Sequence, residues 1–333
     1  MAQRVVLIQG GGVGIDQEQS VRRIIAAAGV AIDWEVVPAG QAAIDAGRPP
    51  LEPALFDAVR RAGVALKTKL LHPPGPVKSN LNLQFRHDLG LFASVRPLRN
   101  LPGIPSRFSG LDLLLLREIT EDLYTAIEHE IVPGVVQSIK VVTEKACLRF
   151  FRFAFDLARQ RERKTIHCIH KANILKLADG LFLDCFRRVA AEAPDIAARE
   201  MIVDNACMQL VNKPQQFDTL VAGNLYGDLL SDLGAGLIGG ISATAAVSYG
   251  DGVRVYEAIH GGTREAIGAN RANPLPLLTP ALEMLSDFGH REAVERIRRA
   301  IGVVFGDRRL RSPDLGGTNT TTDITDALIG ELK

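Results

Sequence analysis

Apolar and polar positions follow two rhythms along this chain. Short apolar runs read as buried strands: RVVLIQ at 4–9, VALKTKL at 64–70 and LDLLLLRE at 111–118. Between them, apolar residues recur three and four apart. Val21, Ile24, Ile25 and Ala28 do so in the stretch after GGGVG, and predict a helix. IDWEVVPAG (32–40) predicts a strand and loop, and EPALFDAVRRAG (52–63) a helix closed by Gly63. This strand–helix–strand order predicts an α/β fold with a parallel, doubly wound sheet.

The rhythm breaks at HPPGP (72–76), and further prolines stand at 97, 102 and 105. A change of domain is expected near residue 100. Beyond it the pattern predicts a long helix over 136–160. Strands follow in KTIHCIHK (164–171), MIVDN (201–205) and FDTLVAG (217–223). From about 250 the first texture returns with VRVYEAIHG (253–261) and helices over 276–287 and 289–302. The expectation is one large domain of 1–99 and 251–333, with a small domain of 100–250 between.

Composition changes this picture little. The 333 residues carry 39 Lys+Arg against 38 Asp+Glu, a net charge of +1. That balance points away from nucleic acid and anionic membrane surfaces. No apolar run reaches the roughly 18 residues of a membrane span. Cys147, Cys168, Cys185 and Cys207 form no CxxC pair, which suits free thiols in a reducing compartment. The opening VVLIQGGG reads as strand and turn, not as a leader. A cytoplasmic protein is expected.

The chemistry concentrates in a few places. In NLYGDLLSDLGAGL (224–237), Asp228 and Asp232 stand four apart on an otherwise apolar or small helix, so they share a face. With Asp204, placed at the end of an apolar strand, they could form an oxygen-rich site for Mg2+ or Mn2+. The plainer alternative is one helix-terminal acid and one solvated acid. Arg86, Arg96 and Arg117 could bind carboxylates through two parallel hydrogen bonds, or be surface arginines. Lys171 follows a strand and Tyr124 lies in a polar stretch, so both are candidate proton-transfer groups. GGGVG (10–14) fits G-x-G-x-x-G poorly, so a standard Rossmann site is not expected. The loop HGGTREAIGANRANP (260–274) could instead hold an adenine nucleotide through its amides, His260 and Asn273.

Taken together, HEIVPGVVQSIKVVT (129–143), HKANILKLADGLF (170–182), MIVDNACMQLVNKPQQFD (201–218) and NLYGDLLSDLGAGLIGG (224–240) resemble the β-decarboxylating dehydrogenases. These are the isocitrate, isopropylmalate, homoisocitrate and tartrate dehydrogenases; the middle segments are most similar to the NAD-dependent isocitrate branch. The resemblance implies an isopropylmalate-dehydrogenase-like two-domain fold. It also implies oxidation of a 2-hydroxy acid by NAD, then loss of its 3-carboxylate, with isocitrate the nearest substrate. Asp204, Asp228 and Asp232 would hold Mg2+ or Mn2+. Arg86, Arg96 and Arg117 would clamp the departing carboxylate, Lys171 would help deprotonate the hydroxyl, and Tyr124 would protonate the enolate. Lys171 and Asp204 would reach across from a second subunit, which implies a homodimer. His260, Gly261, Gly262, Thr263, Glu265 and Asn273 would hold the cofactor, with Glu265 on the ribose hydroxyls favouring NAD over NADP.

The departures from that pattern lie near substrate and nicotinamide. Asn80 takes the place of a serine that meets the substrate's third carboxylate, while Asn82 is kept. Ile119 and Asp122 replace asparagine and glycine in REITEDLY, and His72 replaces a nicotinamide-side threonine. Two alternatives therefore stay open. One is the same chemistry on an analogue such as phosphonomethylmalate, homoisocitrate, isopropylmalate or tartrate. The other is a non-catalytic regulatory subunit of a hetero-oligomeric isocitrate dehydrogenase.

Overall fold

The computed structural model describes residues 2–71 and 80–332, and His72 lies outside them. In chain order the elements are β1 (Gln3–Gln9), α1 (Gly14–Ala27), β2 (Ile32–Pro38), α2 (Gln41–Asp45), α3 (Pro53–Ala62), β3 (Val64–Lys67) and α4 (Leu81–Asp88). Then come β4 (Ala93–Arg99), β5 (Asp112–Glu118), β6 (Asp122–Val132), β7 (Val135–Val141), α5 (Glu144–Gln160), β8 (Thr165–His170), α6 (Ala178–Ala191), β9 (Ala197–Ile202), α7 (Val203–Asn212), β10 (Thr219–Ala222) and α8 (Asn224–Ile238). The chain closes with β11 (Ala246–Gly250), β12 (Val253–Glu257), α9 (Arg264–Ile267), α10 (Leu275–Asp287), α11 (Arg291–Gly306) and α12 (Thr321–Gly330).

These elements form two compact units, one of Met1–Gly90, Asn100–Ser109 and Ile238–Lys333, the other of Leu91–Arg99 and Gly110–Leu237. In the first unit the strands run in the order β2-β1-β3-β12-β11. All neighbours are parallel except β11, which runs antiparallel to β12. Val5, Val6, Leu7 and Ile8 of β1 are fully buried, as a central parallel strand requires. Helices α1, α10, α11 and α12 pack on one another, and α3 packs on β1 and β3. Helix α3 stops where Gly63 turns left-handed at φ 70°.

In the second unit the order is β4-β5-β10-β8-β9. Here β4 is antiparallel to β5, and the rest are parallel. Its apolar core is rich in phenylalanine: Phe151 of α5 lies 4.6 Å from Phe182 and 5.4 Å from Phe186 of α6, measured between ring centres. A separate antiparallel hairpin, β6–β7, carries register shifts along its length.

Two expectations change at this level. Residues 136–160 are not one helix: β7 runs to Val141 and α5 begins at Glu144. The side chain of Thr143 accepts a hydrogen bond from the Ala146 amide and starts α5. The second correction concerns Asp204. Strand β9 ends at Ile202, so Asp204 sits in the first turn of α7, where a negative charge suits the helix end. Among the described residues no helix is long and apolar enough to cross a membrane.

Candidate active site

The second unit gathers its chemistry on α8. Asn224, Asp228, Ser231 and Asp232 recur at helical spacing, so one polar stripe crosses an otherwise apolar helix. The end of β5 brings Arg117 to this stripe. Its Nε donates to Asn224 Oδ1 at 2.9 Å, and its guanidinium pairs closely with Asp228. Gly227 makes this approach possible, because a Cβ there would lie 2.7 Å from Arg117 Cγ. Arg96, from β4, donates to Ser231 Oγ at 2.6 Å and lies 3.5 Å from Asp228 and 3.8 Å from Asp232. Both arginines are buried, while the Asp228 and Asp232 side chains are 37% and 65% exposed. The cations are therefore fixed from behind and the carboxylates face outward.

Tyr124, near the start of β6, completes the cluster. Its hydroxyl donates to Asp228 Oδ2 at 2.5 Å, and the Arg117 guanidinium lies 4.8 Å from its ring centre. Burial, and then the hydrogen bond to Asp228, push the phenol above its ordinary pKa; the nearby Arg117 opposes this. Tyr124 is thus held protonated.

Lys171 and Asp204 meet elsewhere in the same unit. Lys171 Nζ pairs closely with Asp204, which holds the Asp204 carboxyl below the usual carboxylate range. The Lys171 amide donates to Asp179 at 2.6 Å. Asp179 also takes Lys140 at 2.5 Å, and Lys140 reaches Asp122 at 3.5 Å. Asp122 is left-handed at φ 75°, the conformation for which the expected glycine is suited. Its carboxylate accepts the Leu225 amide at 3.0 Å and so caps α8.

The first unit holds the glycine turn and the nucleotide loop. The Val13 amide donates to the Gly262 carbonyl at 3.2 Å. Gly12 is required there: a Cβ would sit 2.4 Å from that oxygen. The turn therefore packs on the loop at 260–263. Beside it lies a cavity of about 630 Å³, lined by Gly12, Gln41, Asp45, Thr263, Arg264 and Glu265 among others. Thr263 caps the short α9 through the Ala266 amide at 3.3 Å. Gly261 packs against the stem of Lys69, whose Nζ donates to the Ile259 carbonyl at 3.0 Å and steadies the chain before His260. Asn273 differs from its expected role: its buried side chain donates to Asp314 and accepts the Leu275 amide at the start of α10. Asn80 caps α4, its side-chain oxygen accepting the Asn82 and Leu83 amides at 3.0 and 3.4 Å. Arg86, on α4, acts on the buried Glu257 within this unit.

The donor set suits a hard divalent cation, since Asp228 and Asp232 offer carboxylate oxygens on one accessible helix face. Asp204 does not join them within one chain. Among the described residues no three His, Cys, Asp or Glu side chains come together as a metal shell. The spacing of Asp228 and Asp232 was readable from the sequence. Asn224 and Ser231, which hold Arg117 and Arg96, share the same periodicity and could have been found by extending it.

The family model described as isocitrate/isopropylmalate dehydrogenase matches residues 4–328. An NAD isocitrate dehydrogenase catalytic subunit of Arabidopsis thaliana is 41% identical, covering 98% of this chain and 87% of that one. A regulatory subunit from Dictyostelium discoideum is 37% identical, covering 99% and 92%. A crystal structure of isocitrate dehydrogenase from Methylococcus capsulatus gives a TM-score of 0.91 at 39% identity, covering 100% of this chain and 99% of that one. The Arabidopsis and Dictyostelium relatives are named mitochondrial, as are those from fission yeast and Caenorhabditis elegans, which overturns the expected cytoplasmic location. Free thiols suit either compartment and do not distinguish the two. Relatives named as separate catalytic and regulatory subunits likewise give a homodimer no support. With the match running almost end to end in sequence and in structure, the chain belongs to the isocitrate/isopropylmalate dehydrogenase family.

Proposed function

We propose that this chain catalyses the metal-dependent, NAD-linked oxidative decarboxylation of a 2-hydroxy acid bearing a 3-carboxylate, with isocitrate as the first substrate to test. The observation that carries this reading is the α8 cluster. It presents two buried arginines, two outward carboxylates and a protonated tyrosine at one spot. When bound, a divalent cation on Asp228 and Asp232 would acidify the substrate hydroxyl and stabilise the enolate, and NAD+ would accept the hydride.

The chain's own residues supply the rest. Arg96 and Arg117, fixed by Ser231 and Asn224, orient the carboxylate that leaves. Tyr124 delivers its phenolic proton to the enolate carbon. Lys171 receives the hydroxyl proton as the neutral amine, and Asp204, whose carboxylate pairs with its Nζ, holds the ammonium that forms and is the third metal carboxylate. One chain keeps this pair apart from the α8 carboxylates, so a complete site needs a second subunit, either a copy of this chain or a regulatory relative.

The nucleotide cavity favours NAD. Glu265 accepts the ribose hydroxyls there, while His260, Gly261, Gly262 and Thr263 shape the loop around it. Arg271 donates to the Thr318 carbonyl and Arg264 pairs with Asp16, so neither cation points freely at a 2′-phosphate.

A second reading, turnover of an isocitrate analogue, is favoured by Asn80, whose side-chain oxygen caps α4 where a serine hydroxyl is expected. The test is NADH formation by the purified protein with Mg2+ or Mn2+ and NAD+, over isocitrate, homoisocitrate, 3-isopropylmalate, tartrate, malate and phosphonomethylmalate. NADH from isocitrate is expected. Turnover of an analogue alone shifts the substrate, and NADH from none of them sinks the enzyme reading.

A further inference from the structure

We propose that the Asp16–Arg264 ion pair is a cofactor-specificity device: it withholds from the nucleotide cavity the one arginine placed to receive a 2′-phosphate. This rests on the nucleotide reading of that cavity. Arg264, Glu265 and Asp45 all line it. An arginine beside the adenosine ribose is the ordinary means of binding a 2′-phosphate, through paired, always-charged N–H donors. Here Arg264 Nη2 lies 2.9 Å from Asp16 Oδ1. The other Asp16 oxygen accepts the Asn270 amide at 3.0 Å, and the Asp16 side chain is only 13% exposed. The carboxylate is thus pinned on both oxygens between α1 and the loop, and cannot follow Arg264 into the cavity.

The charge balance then decides the preference. With Arg264 neutralised, the cavity presents the carboxylates of Asp45 and Glu265. A ribose with two hydroxyls can donate to Glu265, whereas a 2′-phosphate meets repulsion from both acids. Removing the Asp16 charge frees Arg264 to turn inward. Asn at 16 still offers an oxygen to the Asn270 amide, so the loop keeps its anchor.

The test is calorimetric affinity of the full chain for 5′-AMP and for adenosine 2′,5′-bisphosphate. The unaltered protein is expected to favour 5′-AMP. Asp16→Asn should shift the affinity ratio toward the bisphosphate by about tenfold, with 5′-AMP affinity kept within about twofold. Adding Arg264→Ala to Asp16→Asn should abolish that shift. A shift that persists in the double variant, or none in Asp16→Asn, overturns the proposal. Arg264→Ala alone should leave the ratio within about twofold, because that cation is already committed. A loss of bisphosphate affinity by about fivefold or more in Arg264→Ala would show it serving the phosphate already, and this arm decides alone should Asp16→Asn not fold. Failure of the unaltered protein to bind either nucleotide overturns the nucleotide reading itself, and the inference with it.

Discussion

At the scale of single residues, Tyr124 tests the chemistry most cleanly. Its hydroxyl is the atom that differs between a phenol acid and a packing ring, and it donates to Asp228. Tyr124→Phe keeps the ring beneath Arg117. The variant should lose about 10²–10⁴-fold in turnover, the usual worth of a positioned acid. Its thermal midpoint should fall by no more than about 4 °C, because one hydrogen bond of about 1 kcal/mol is lost. Measuring kcat and the midpoint together separates the roles, and a fully active Phe variant removes Tyr124 from proton transfer. The sequence showed this cluster unevenly. Asp228 and Asp232 were legible because helical periodicity alone puts them on one face. Arg117 was legible because a charge ending an apolar strand faces a cleft or solvent. The place of Asp204 was not, because IVDN suits a strand end and a helix start equally, and β9 runs straight into α7.

At the scale of elements, the β6–β7 hairpin is the informative misreading. Its outer half, Glu128 to Lys140, is almost wholly exposed in one chain, and apolar Ile127, Ile131, Val132, Val135, Val136 and Ile139 all stand 42% exposed or more. A strand recognised by alternation needs one buried face. This hairpin has none of its own, so its pattern resembled the helix that follows. Two strands alone are marginal in water, and an exposed apolar pair of this length is a surface suited to cover by another chain. A charge at its centre should break that cover. Val136→Glu is expected to lower the mass measured by analytical ultracentrifugation to that of a single chain, with far-ultraviolet circular dichroism unchanged. Turnover should fall with the mass on the proposal that Lys171 and Asp204 complete a neighbouring subunit's site. A Val136→Glu protein of unchanged mass and activity would place the second subunit elsewhere.

At the scale of the whole molecule, parallel strands that bury both faces set the fold, and their long apolar runs made most of them readable. What the runs hide is a charge pair inside the first unit's sheet. Lys67 of β3 and Glu257 of β12 are almost fully buried and lie 3.0 Å apart, with Ser248 of β11 donating to the same carboxylate at 2.5 Å. Each residue ends an apolar strand, and nothing local in the sequence pairs them; only the β3–β12 register does. Burial alone would raise the Glu257 pKa, but Lys67, Arg86 and Ser248 together lower it to about 2. The unfolded chain would bind that proton near pH 4.3. Below that pH the unfolded state gains a proton the folded state refuses, so stability present at neutral pH drains as pH falls from about 5 toward 2. The span corresponds to roughly 3 kcal/mol. Lys67→Met alone leaves a buried carboxylate without its cation and should cost about 3–5 kcal/mol at neutral pH. The double variant Lys67→Met/Glu257→Gln removes both charges. It should recover most of that loss and flatten the urea-unfolding free energy between pH 5 and 3 relative to the unaltered protein. An acid limb of equal steepness in the double variant would locate the acid sensitivity outside this pair.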